Sequence, residues 1–128
     1  MPYRPKNPQG PLSPRLSIYR WHVGMVASIG HRISGLVLVL FVPLYLWLLR
    51  GMTGSEDNFG IVSAWLHSGL GKVSIWLVGV SLIYHFCNGV RFLAIDAGWG
   101  DSRDSMRLSA RVVIFVTVFA ALLLAVML

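Results

Sequence analysis

The chain has 128 residues, 55% of them hydrophobic and 12% charged, roughly half the charge of a soluble domain, and its mean hydropathy is +0.67. These values exclude an ordinary soluble domain and point to one small membrane unit. Net charge is +6, but the basic residues flank apolar runs instead of forming a stripe with interleaved aromatics, which excludes a nucleic-acid binder. A single cysteine, Cys87, excludes an internal disulfide, and with no C-x-x-C-H motif any haem must be held by ligation and packing.

Residues 1–22 read as an extended N-terminal arm. Five of the six prolines precede Arg15, so no regular helix can form there. "LSIYRW" (Leu16 to Trp21) mixes apolar, aromatic and basic residues, as an interfacial anchor does. The arm lacks the layout of a signal peptide, because the apolar run starts late and no small-residue cleavage site follows it. The first membrane helix is expected at about 25–50. Its centre, Ile33 to Leu49, is uncharged, and with the preceding turns it exceeds the roughly 17–25 residues a span needs. Pro43 inside it predicts a kink. Arg50 to Gly71 reads as a polar connection, with "GMTGSEDNFG" a loop and "IVSAWLHS" a short interfacial helix anchored by Trp65.

A second helix is expected at about 71–96, a charged loop from Asp96 to Arg107, and a third helix at about 106–128, whose uncharged run is Val112 to Leu128. The expected fold is an all-α membrane protein, with the arm followed by a three-helix transmembrane anchor over 23–128. Nine of the eleven cationic residues fall on the side of the arm and the second loop, leaving Arg50 and Lys72 on the other. The positive-inside rule then places the N-terminus in the cytoplasm, in a bacterial inner membrane or, as the alternative, the mitochondrial one.

His85 stands in an uncharged stretch of the second helix. It lies 11 residues before Asp96, or about 16 Å along a helix. A buried imidazole in hydrocarbon is costly unless something binds it. Ser81, Leu82, Asn88, Gly89 and Phe92 share its face. Gly89 leaves room for a flat ring, and Ser81 or Asn88 is expected to fix the imidazole. Such a face suits an axial ligand of a b-type haem. The alternative is a packed histidine bonded to a carbonyl or serine of a neighbouring helix. His22 and His31 are expected to lie too shallow to reach across a ring from His85, and His67 is on the far side. A second axial ligand would therefore belong to another chain.

"SIGHRISG", Ser28 to Gly35, opens the first helix. Ser28, His31 and Arg32 are expected on one face near the cytoplasmic boundary. A hydroxyl beside a guanidinium suits a quinone headgroup, and the same charges suit haem propionates. The plainer alternative is an arginine snorkelling to lipid phosphate. Arg91 has the same two readings, a propionate partner or an interfacial pair with Asp96.

Three segments, "PLSPRLSIYRW", "SIGHRISG" and "HFCNGVRFLAIDAG", occur in this order over most of the chain. Together they resemble the cytochrome b membrane-anchor subunits of succinate dehydrogenase, respiratory complex II. The resemblance implies that His85 is the haem b iron ligand, with a second membrane-anchor subunit supplying the other ligand. It implies that Ser28 and Arg32 line a ubiquinone pocket and that His31 and Arg32, with Arg91 more weakly, approach the haem propionates. Electrons would come from an iron–sulfur subunit served by a flavoprotein subunit, both docked on the cytoplasmic face. The chain itself has no flavin-binding G-x-G-x-x-G and no cysteine set for a cluster, so it would do no chemistry on succinate. Arg15 and Phe92 stand where the family often has histidine, and Phe92 cannot bond a propionate. An anchor of a fumarate-reducing complex and a haem-free membrane scaffold are the rival readings.

Overall fold

The structure is a computed structural model and describes residues 22–128. The proline-rich arm and its interfacial residues Tyr19 and Trp21 lie outside the described residues. The helices in chain order are α1 (Val23–Leu40), α2 (Val42–Met52), α3 (Glu56–His67), α4 (Gly69–Asp96) and α5 (Arg103–Met127). Three of them, α1, α4 and α5, are long and apolar enough to cross a membrane. α1 and α2 occupy the segment expected to be one kinked helix. The break falls at Phe41, and Pro43 sits in the first turn of α2, where its missing N–H costs no hydrogen bond.

Two stretches read as loops are helical. α3 starts at Glu56, inside "GMTGSEDNFG", because the Ser55 side chain accepts from the Asn58 N–H and Glu56 and Asp57 supply acid to its first turn. α5 starts at Arg103, inside the expected second loop, where Ser102 accepts from the Ser105 N–H. α3 ends at Ser68, whose hydroxyl donates to the Trp65 carbonyl and accepts from the Gly71 N–H, so one serine closes α3 and opens α4. Trp47 of α2 and Trp65 of α3 meet edge to face, with centroids 5.5 Å apart. At the other end of α4, Gly98 takes φ +84°, a backbone state that suits glycine, and turns the chain toward α5.

α4 is the central element, packed between α1 and α5. What it buries is polar. Among the described residues the buried hydrophobic side chains are Ala27, Val62, Ala110 and Val113, whereas Ser34, Ser74, Ser81, Asn88, Arg91 and Thr117 are buried polar ones. Large apolar residues such as Leu36, Leu82, Phe86, Phe115 and Leu122 face outward. This inversion is expected in lipid, where small residues and hydrogen bonds join helices and hydrophobicity does not.

The seam of three helices runs through Asn88, which is 0% exposed. Its Nδ2 donates to the Ala27 carbonyl of α1 at 2.6 Å, and its Oδ1 accepts from Arg91 Nη1 at 3.3 Å. Arg91 continues into α5, donating from Nε to Ser109 Oγ at 2.9 Å and from Nη2 to the Met106 carbonyl at 3.0 Å. Farther along, Trp76 Nε1 donates to the Ala121 carbonyl. Asn88→Leu strips partners from a buried carbonyl and a buried guanidinium. It is expected to cost about 1–3 kcal/mol, read as a lower unfolding temperature in detergent. Leu122→Ala, at a residue 64% exposed, should leave that temperature unchanged.

Candidate functional site

The site lies where α1 crosses α4. Three α1 residues with little or no side chain, Ala27, Gly30 and Gly35, let the helices approach closely. A Cβ on Gly30 would lie 2.6 Å from Tyr84 Oη, and one on Gly35 would lie 2.9 Å from His85 Cε1. The α4 side chains use that proximity to bond α1 carbonyls. Tyr84 Oη donates to the Ala27 carbonyl at 3.0 Å. His85 Nδ1 lies 3.1 Å from the His31 carbonyl and 3.2 Å from Ser34 Oγ. Ser34 Oγ in turn donates to the His31 carbonyl at 2.8 Å.

His31 is not too shallow to meet His85. The two imidazoles stack, with centroids 4.0 Å apart and planes 9° from parallel. The reason is arithmetic along the helix. α1 begins at Val23, so His31 is already about 12 Å inside it at ~1.5 Å per residue. That depth is close to the one expected for His85 on the antiparallel α4. Phe92 meets His31 edge-on at 5.4 Å. His31 Nε2 is buried and has no hydrogen-bond partner among the described residues. A Cβ on Gly89 would lie 3.6 Å from it. A cavity of about 460 Å³ opens beside the pair, lined by His31, His85, Phe86, Gly89, Val90, Phe92 and Leu93.

The expected partners of His85 on its own helix are not the ones used. Asn88 turns to Ala27 and Arg91, and the bonds to Nδ1 come from Ser34 and the His31 backbone. Ser34 was not singled out from the sequence. Its signal was its spacing, one helical turn after His31 in "SIGHRISG". The plainer reading of His85, a bond to a neighbouring helix's carbonyl and serine, is therefore realised at Nδ1.

The other sequence candidates scatter around this pair. Ser28 is half-buried one turn before His31, and Arg32 is exposed. Arg91, 8% exposed, turns toward α5 and forms no pair with Asp96. It lines a second cavity of about 490 Å³ with His22, Arg103 and Arg107 at the loop end of the bundle. Among the described residues no cluster of three or more histidine, cysteine or acidic side chains could hold a metal ion.

These features define a multi-pass helical membrane protein with a paired-histidine site between its first and fourth helices. The chain belongs to the succinate dehydrogenase/fumarate reductase transmembrane subunit family, whose model matches residues 6–124. It is 37% identical to a succinate dehydrogenase cytochrome b556 subunit of Coxiella burnetii over 120 residues, covering 93% of this chain and 95% of that protein. Identity to the cytochrome b556 subunit of Paracoccus denitrificans is 33%, covering 88% and 87% of the two chains. Identity to the mitochondrial cytochrome b560 subunit of Sus scrofa is 34%, covering 91% and 70%. The chain is thus a membrane subunit of an enzyme complex.

The tight crossing makes one prediction. Gly30→Ala should displace the Tyr84 ring and cost about 1–3 kcal/mol, whereas Gly60→Ala, on α3 with nothing within 4 Å of the added carbon, should be neutral or slightly stabilising. Thermal unfolding of the two variants in detergent compares them directly.

Proposed function

We propose that the chain is the cytochrome b anchor of a succinate:ubiquinone oxidoreductase, holding haem b jointly with a second membrane-anchor subunit and helping to line the quinone-reduction site. The observation that carries this reading is the state of the two imidazoles. His85 has its Nδ1 engaged, and His31 has a buried Nε2 with no partner among the described residues. Both border an apolar cavity narrowed by no side chain at Gly89. An orphaned nitrogen in such a place is costly, and a prosthetic group carrying iron and carboxylates removes the cost. The donor set therefore fits haem b, and a haem-free scaffold leaves His31 Nε2 unexplained.

His85 is the proposed iron ligand. His31 stacks on His85, so of the two only His85 would hold the iron. His22 caps α1 and His67 bonds the Ser63 carbonyl on α3. A further ligand would come from the partner anchor, and His31 would donate to a propionate. Arg32, exposed beside it, adds the cationic charge. Arg91 is the weaker propionate candidate, since three of its N–H groups are engaged in the seam. Bound haem b supplies reversible one-electron chemistry.

Ser28 and Arg32 are proposed to bind the ubiquinone headgroup, the hydroxyl donating to one carbonyl and the guanidinium stabilising the reduced oxygen. Their place near the start of α1, on the side to which the positive-inside rule assigns nine of the eleven cations, supports a quinone bound toward the cytoplasm. There an iron–sulfur subunit, fed by a flavoprotein subunit, would deliver electrons, with lipid around the exposed apolar faces. An anchor of a fumarate-reducing complex shares the family. The quinone extracted with the complex separates the two.

Two experiments test the proposal. His85→Ala should remove the bis-imidazole absorption of the purified complex, and an unchanged spectrum rejects the ligand. Ser28→Ala and Arg32→Leu should lower quinone reduction about 10²-fold or more while sparing succinate oxidation by a soluble dye. Equal loss in both assays rejects the quinone role.

A further inference from the structure

We infer that α1 fixes the tautomer and the rotation of His85, and that Ser34 is a positioning residue which tunes the iron this histidine binds. The inference rests on the haem reading above and adds a role that the axial ligand alone does not imply.

The assignment follows from which atoms can accept. A backbone carbonyl has no proton to give, so the His31 oxygen, 3.1 Å from His85 Nδ1, requires Nδ1 to carry the hydrogen. Ser34 Oγ sends its own proton to the same carbonyl at 2.8 Å and presents lone pairs to Nδ1 at 3.2 Å. The Nδ1–H is thus shared between two acceptors, both supplied by α1. In a neutral imidazole with hydrogen on Nδ1, the lone pair resides on Nε2, the atom left for iron.

Rotation is fixed by contact. Gly35 lies against the ring edge so closely that a Cβ would sit 2.9 Å from Cε1 and 3.3 Å from Nδ1. The His31 ring covers one face at 4.0 Å. Ser34 is 5% exposed, so its hydroxyl is largely shielded from solvent. Hydrogen bonding at the nitrogen opposite the metal makes a histidine ligand more basic, and a more basic ligand favours ferric over ferrous iron. Ser34 therefore holds the haem potential down.

The test uses the intact membrane complex with the variants Ser34→Ala and Ser34→Thr. Redox titration of the haem band is expected to show S34A shifted to a more positive potential, with haem content unchanged, and S34T restored toward the parent. Parental potential in S34A at full haem content overturns the role of Ser34. Retention of an unaltered spectrum in His85→Ala is a different failure, since it removes the underlying haem reading. If S34A does not assemble, electron–nuclear double resonance on the parent complex decides. A slowly exchanging proton on His85 Nδ1 supports the assignment, and its absence overturns it.

Discussion

An imidazole placed in hydrocarbon needs a partner for its N–H, and in this protein the partner is the backbone of another helix. His85 of α4 bonds the His31 carbonyl and the Ser34 hydroxyl of α1. That contact needs α1 and α4 closer than ordinary side chains allow, and Gly30 and Gly35 provide the closeness. The same approach lets Tyr84 and Asn88 share the Ala27 carbonyl. From Asn88 the polar seam passes through Arg91 to Ser109 and Met106 of α5. The bundle and the site therefore share one helix crossing, with the histidine pair beside a hydrogen-bonded path that runs from Ala27 of α1 through Asn88 and Arg91 of α4 to α5.

Lipid accounts for the division of labour between residue types. Apolar side chains gain little by turning inward when their surroundings are already apolar, so leucines and phenylalanines cover the outside. Serine, asparagine, threonine and one arginine do the joining. The price of that arrangement is that every inward polar atom must be satisfied, and His31 Nε2 is the exception among the described residues. A single unmet nitrogen against so complete a network is what gives the proposed cofactor its place.

Much of the fold was legible because hydropathy dominates it. The three spanning segments follow from long uncharged runs, and the α1–α2 break follows from Pro43. The first turns of α3 and α5 are less legible. Gly54 and a cluster of polar residues hid the Ser55 cap, and charge hid the Ser102 cap, although acidic residues just after each serine are the usual sign of a helix start. At the site, His85 stood out because it interrupts an apolar run. Its true partners did not, since a backbone carbonyl leaves no trace in a sequence and Ser34 is one of several serines. His31 is deeper than its place beside the polar arm suggests, because it lies more than two turns inside α1, which begins at Val23. Which face each α1 residue presents to α4 depends on helix crossing, which one chain's periodicity does not specify.

The central claim is that His85 is held by α1 through Nδ1 so that Nε2 meets iron shared with a partner anchor. The most direct measurement is an electron cryomicroscopy map of the whole membrane complex, at a resolution that separates imidazole from porphyrin. The account predicts iron in the plane of the His85 ring at bonding distance from Nε2, with a residue of a second subunit opposite and Nδ1 still on the His31 carbonyl. A map with His85 facing lipid, or with no porphyrin beside it in a complex that reduces quinone, contradicts the account.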